Sequence, residues 1–232
     1  MESFSPFGWL HASAIAAILA LTALAVRLAR RKLLPSAPTA AERAVGLAYL
    51  AAWVTTYGFL LFPPLADPAK TLPLQLCHWN AVAAALLLVT GWRRLRPLVY
   101  FWGFALSTQA LITPALREGP ALYAFWFFWT THGMILGVAL YDVIARGYRP
   151  TLRDYGIACA GAAAYVAVVL PLDLAFGWNY GFVGPSKPEF RTIVDALGPW
   201  PERLALIVLL VAGAMALALL PWRFVQAKST LD

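Results

Sequence analysis

The fold class this sequence predicts is all-α: one polytopic membrane domain over residues 1–232, a bundle of seven spanning helices. Three observations lead there. Hydrophobic residues make up 61% of the chain against 12% charged, and the mean hydropathy is +0.69, a balance that leaves too little polar surface for a soluble domain. Apolar runs of span length recur along the 232 residues, enough for roughly seven crossings with short connections and no second domain. Lysine and arginine also concentrate on alternate connections.

The first run, 9–26, stops at Arg27, Arg30, Arg31 and Lys32. Met1-Glu2-Ser3 before it carry no positive charge and no clear small-residue cleavage site follows, so it reads as a retained span rather than a cleaved signal peptide. The second run, 44–61, stops at Pro63-Pro64, and the third, 72–91, ends at Gly91-Trp92-Arg93-Arg94. The fourth, 97–116, closes around Thr113-Pro114; only Arg117-Glu118-Gly119-Pro120 separates it from the fifth, 122–144. The sixth, 155–172, offers Gly156, Ala160 and Gly161 as a small face for close helix packing, and the seventh is 204–220. No internal repeat stands out.

Basic residues set the orientation. With the N-terminus outside, the cytoplasmic segments hold Arg27, Arg30, Arg31, Lys32, Arg43, Arg93, Arg94, Arg96, Arg146, Arg149, Arg153, Arg223 and Lys228, while Lys70, Arg117, Lys187, Arg191 and Arg203 stay outside. The positive-inside rule then gives N-out, C-in, and a multi-pass protein of the cell membrane. The net charge of +7 is accounted for by this distribution, so no nucleic-acid partner is inferred; membrane lipids are the expected partners. Cys77 and Cys159 both lie in apolar runs, and two such cysteines do not indicate a disulfide framework.

One connection, 173–203, is long and lies outside. It holds Gly177-Trp178-Asn179-Tyr180-Gly181, Gly184-Pro185-Ser186-Lys187-Pro188 and Gly198-Pro199-Trp200-Pro201. A loop of that length is usually functional or flexible, and the competing reading is an interfacial segment anchored by Trp178, Tyr180 and Trp200. Pro188 followed by Glu189-Phe190-Arg191-Thr192-Ile193-Val194-Asp195-Ala196-Leu197 predicts a short amphipathic helix on the membrane surface, suited to a lid.

Polar residues inside spans are the candidates for chemistry. The third run contains Leu72-Pro73-Leu74-Gln75-Leu76-Cys77-His78-Trp79-Asn80. Cys77 and Asn80, three apart, share a helix face with Ala81 and Ala84, whereas His78 points about 100° away and is a poor base for its neighbour. Gln109 and Thr113, four apart, share a face one turn before the Pro114 break. His132 follows the aromatic block Phe125-Trp126-Phe127-Phe128-Trp129 and then Thr130-Thr131. Cys77 lies about 5 residues into its span and His132 about 10, an axial offset of roughly 7.5 Å.

Structural readings stand beside these. Cysteine is common in apolar interiors, and Cys159 is read that way; Gln109 and Thr113 also suit interhelical bonding. An ionisable group within a span is by default a functional candidate, which favours His132. With three histidines, and His11 near one end of span one, a zinc hydrolase would lack its usual ligands. No metal or cofactor is inferred.

The motifs Leu72-Pro73-Leu74-Gln75-Leu76-Cys77, Gly103-Phe104-Ala105-Leu106-Ser107-Thr108-Gln109-Ala110-Leu111-Ile112-Thr113-Pro114, His132-Gly133, Asn179-Tyr180, Lys187-Pro188 and Leu197-Gly198-Pro199-Trp200-Pro201 occur in that order. Over residues 45–220 the chain thereby resembles the bacterial YwaF-like integral membrane proteins. That family is related to eukaryotic transmembrane acyltransferases that remodel ether phospholipids, for which a membrane cysteine and histidine are the proposed catalytic pair. By resemblance these roles pass to Cys77 and His132. Residues 1–43 depart most from the family pattern, and His78 has no counterpart that we identify in it.

Such a pair supports acyl transfer from phospholipid to lysophospholipid through a thioester, with Asn80, Gln109, Thr113, Asn179 and Tyr180 as candidate substrate-binding or oxyanion groups. The rival reading is a non-enzymatic transporter or a seven-helix protein that binds lipid or a small ligand. Against an ion-coupled transporter stand the near absence of acidic residues in the spans and the lack of an inverted repeat.

Overall fold

Two threonines start helices in the same way, and both starts are written in the sequence. Thr39 accepts a hydrogen bond from the Glu42 backbone while the Glu42 carboxylate accepts one from the Thr39 backbone. Thr151 and Asp154 repeat the arrangement, so each pair satisfies two backbone donors that a helix N-terminus leaves open. The computed structural model describes residues 4–30, 37–186 and 193–228, and among them every regular element is helical.

The elements are α1 (Trp9–Arg30), α2 (Ala40–Leu60), α3 (Leu76–Thr90), α4 (Arg96–Trp102), α5 (Thr108–Ile112), α6 (Tyr123–Ile144), α7 (Leu152–Phe176) and α8 (Arg203–Lys228). Four stretches are long and apolar enough to cross a membrane: α1, α6, α7 and Arg203–Phe224 of α8.

Two predicted spans differ in form. The third helix begins at Leu76 rather than at residue 72 and has 15 residues, a length of about 22 Å. The fourth is broken into α4, a π-helical turn at Gly103–Ser107, and α5, and it stops at Ile112. Thr113 is not helical, with φ −127° and ψ 74°, because the following Pro114 disfavours the helical region for it.

Helix α3 is the centre of the bundle. Ala81, Ala84 and Ala85 are fully buried, and with side chains this small the neighbouring backbones can approach closely. It packs against α2 on one side and α6 on another, while α4 packs on α3, α6 and α7. Gly46 marks the tightest approach of α2 to α3: a Cβ there would lie 2.6 Å from the Ala85 carbonyl oxygen. On α7, Gly161 meets Leu98 and Trp102, whereas Gly156 faces open space, so the predicted small face is used only in part.

Polar side chains bridge α2 and α6 at three levels. Thr56 bonds Tyr123 at 2.6 Å, and Tyr49 donates to Thr131 at 3.2 Å. Arg146, just past α6, forms an ion pair with Glu42. The three α2 residues lie seven apart, two helical turns each, and their partners run in the opposite sense, so α2 and α6 are antiparallel. Helix α2 is also antiparallel to α3, since Gly46 meets Ala85 while Tyr57 bonds His78, so α3 and α6 run in the same direction.

Gly46→Val is expected to push α2 off α3, because the nearest obstacle is backbone. We expect a loss of about 1–3 kcal/mol, read as a lower unfolding temperature of the purified protein in detergent. An unchanged temperature would show that the contact is not tight in the folded protein.

Candidate functional site

The candidate site lies at the end of the bundle where α3 and α6 begin, and the backbone just before α3 positions it. Residues 72–75 are not helical, so their polar groups need partners from elsewhere. The loop after α7, and Tyr165 on α7 itself, supply them. The Tyr180 hydroxyl accepts from the Leu72 backbone at 3.1 Å and donates to the Pro68 carbonyl at 2.7 Å. The Gly181 backbone donates to the Gln75 side chain at 3.0 Å, and Tyr165 on α7 donates to the Leu74 carbonyl at 2.6 Å.

That loop is itself held. Asp173 is fully buried and accepts from the Tyr180 backbone at 3.0 Å. Gly181 has a φ of +62°, and a Cβ there would lie 2.5 Å from the Tyr165 hydroxyl, which excludes any larger residue. Burial pushes the Tyr180 phenol up to about 12, so at neutral pH it remains able to donate and accept at once.

Cys77 is the second residue of α3. It is a half-buried free thiol, and the next backbone N–H, that of His78, donates to the Gln75 carbonyl at 3.0 Å. Its apolar neighbours form one cluster with Tyr49 and Trp53 of α2, Ala81 of α3, and Met134 and Ile135 of α6. His132 precedes Met134 by two residues and is buried. Its Nδ1 lies 2.8 Å from the Phe128 carbonyl; a carbonyl only accepts, so Nδ1 carries the proton and Nε2 the lone pair. Among the described residues no hydrogen bond joins Cys77 to His132.

The five supporting candidates fall into three groups. Asn80, one turn beyond Cys77, is fully buried, and neither atom of its amide has a hydrogen-bond partner. Asn179 also keeps a buried, unbonded side-chain oxygen. Tyr180 is engaged in the clamp on residues 68–72. Gln109 and Thr113 bond to each other at an exposed helix end, so their shared face is as predicted but does not bring them into the Cys77 cluster.

Several residues around the site were not singled out by sequence. Tyr57 bonds His78 at 2.7 Å, and the His78 ring packs against those of Tyr57 and Phe127, with centroids 5.4 and 6.2 Å away. Tyr49, Trp53 and Tyr57 recur every four residues on α2, a spacing that places them on one face. That spacing was the available signal. Trp53 keeps a buried indole N–H without a partner.

Cys159 packs with Tyr100, Met215 and Leu219. His11 is buried and bridges the Phe7 backbone and the Leu111 carbonyl. The predicted surface helix begins in residues 187–192, with Lys187-Pro188, outside the described residues; 193–197 form a short 3-10 helix instead. There Asp195 pairs with the buried Arg203 at 2.6 Å, and Arg203 also donates to the Gly184 carbonyl, so this part of the loop is fastened to α8. Among the described residues no group of three or more His, Cys, Asp or Glu is placed to hold a metal ion.

The chain matches the TMEM164 family over residues 4–220 and belongs to that family. No curated protein and no solved structure matches it. The family is one of transmembrane proteins, in keeping with the four long apolar helices.

Tyr180→Phe removes the partner of both the Leu72 N–H and the Pro68 carbonyl, which is expected to cost about 1–3 kcal/mol and to loosen the first turn of α3. In a Cys159→Ser background, alkylation of Cys77 by a maleimide is expected to accelerate severalfold. An unchanged alkylation rate would show that the loop does not hold this turn.

Proposed function

We propose that this member of the TMEM164 family is a multi-pass protein of the cell membrane, with seven spans, an exterior N-terminus and a cytoplasmic C-terminus, that transfers acyl chains between phospholipids through Cys77 and His132. The uneven distribution of lysine and arginine supports the topology. Helix α3 is short for a span, and the extended residues before it complete the crossing; non-helical backbone is tolerated at membrane depth when protein covers and bonds it.

The observation that carries the chemistry is the packing of Cys77 against the α6 turn that follows His132. In the free protein such pairs are often loose and tighten only with substrate bound. His132 Nε2 takes the proton from Cys77 Sγ, and the thiolate attacks the ester carbonyl of a donor phospholipid. As the donor's C–O bond breaks, its departing oxygen takes the proton from His132, leaving a lysophospholipid and an acyl thioester on Cys77. The hydroxyl of an acceptor lysophospholipid, or water, then gives its proton to His132 and attacks the thioester, and the thiol is restored.

Cys77 sits in the first turn of α3, but apolar surroundings disfavour a thiolate, so the thiol needs a base to react. Asn80, with both amide atoms unspent, is the best-supported donor to the oxyanion, a contribution often worth about 3–4 kcal/mol. The ether-phospholipid substrate class comes from the family resemblance of the sequence.

The test is transfer of a labelled acyl chain from phospholipid to lysophospholipid by protein reconstituted in vesicles. Cys77→Ala and His132→Gln are expected to abolish transfer and Asn80→Ala to lower it at least a hundredfold, while His78→Gln retains most of it. Transfer that survives Cys77→Ala would remove the thioester route. Loss in His78→Gln with retention in His132→Gln would move the base to His78. A folded wild type without transfer would favour a ligand-binding or transport role.

A further inference from the structure

At the opposite end of the bundle from Cys77, a cavity of about 620 Å³ opens between α1 and α6, within the range of roughly 300–1,000 Å³ typical of small-ligand sites. It arises from a change in helix spacing. Gly133 and Gly137, four apart on α6, let α1 approach closely: a Cβ at Gly133 would lie 3.1 Å from Ile18, and one at Gly137 would lie 3.1 Å from Thr22. Beyond Gly137 the cavity is lined from α6 by the larger Leu140 and Ile144.

The walls are apolar apart from Thr22, whose hydroxyl donates to the Ile18 carbonyl, and one end, where Arg27 and Arg30 line the cavity. Both are exposed, and among the described residues neither has a carboxylate partner. Among the described residues, Arg30 donates to the Ile144 carbonyl at 3.4 Å. From Leu19 to Arg30 the lining runs 11 residues along α1, about 17 Å, close to half of a hydrocarbon core of about 30 Å. The groove therefore has the length of one leaflet, with its positive charge at headgroup level.

We propose that this groove is a binding site for one anionic phospholipid, its acyl chain lying between α1 and α6 and its phosphate on Arg27 and Arg30. Guanidinium groups suit phosphate because they offer paired donors. The site is separate from Cys77 and His132 and does not depend on their chemistry.

The test is native mass spectrometry of the full-length protein in detergent with an equimolar mixture of palmitoyl-oleoyl phosphatidylglycerol and phosphatidylcholine. Wild type is expected to retain phosphatidylglycerol with roughly tenfold preference, since two interfacial arginines each favour anionic lipid. Arg27→Gln combined with Arg30→Gln is expected to reduce the preference to near unity without lowering the unfolding temperature. Ala23→Phe, which fills the groove, is expected to reduce retention of both lipids. Equal retention of the two lipids by wild type would overturn the proposal, as would a preference that survives the double substitution. Undiminished retention in Ala23→Phe would also overturn it, because the lipid would then sit on a basic surface outside the groove.

Discussion

The clamp on residues 68–75 is the interaction on which the candidate site depends. Backbone removed from water and excluded from a helix leaves polar groups that must bond elsewhere, and in an apolar surrounding each failure costs more. Tyr180, Tyr165 and the Gln75 side chain meet that requirement here. Their positions fix where α3 begins, and so set Cys77 in its first turn. The loop after α7 therefore has a structural task that accounts for its Tyr180-Gly181 pair, since Tyr180 supplies the hydroxyl and Gly181 the positive φ.

Within the bundle the same need for partners aligns α2 with α6. Hydrogen bonds between helices in a membrane contribute modestly, about 0.6–2 kcal/mol each, so the Thr56–Tyr123 and Tyr49–Thr131 bridges matter chiefly for registry. Dense packing around the alanines of α3 holds the helices together. Trp53 and Asn179 each keep one buried atom without a partner, but Asn80 lacks one on both atoms of its amide, and a fully buried polar side chain in that state needs an explanation. In the proposed reaction, a substrate carbonyl adjacent to Cys77 provides one.

Much of the site was legible because polar residues are rare in apolar runs. Cys77, Asn80 and His132 drew attention for that reason, and the capping pairs at Thr39 and Thr151 likewise follow from local spacing. The start of α3 was not legible, since Pro73 is equally acceptable in a first helical turn and the decisive partners lie about 100 residues away. Gln109 and Thr113 illustrate another limit. Their four-residue spacing puts them on one face, but the π turn at Gly103–Ser107 inserts an extra residue upstream and rotates all that follows by about 100°. Tyr49, Trp53 and Tyr57 carried a signal in their spacing, yet which helix they meet is set by tertiary packing.

The central claim is that Cys77 carries an acyl group during lipid transfer, and the intact mass of the protein after incubation with a phospholipid donor tests it most directly. The account predicts an adduct of one acyl chain that maps to Cys77, is released by hydroxylamine at neutral pH, and is absent in Cys77→Ala. Acyl transfer without any adduct at Cys77, or an adduct that resists hydroxylamine, would contradict it.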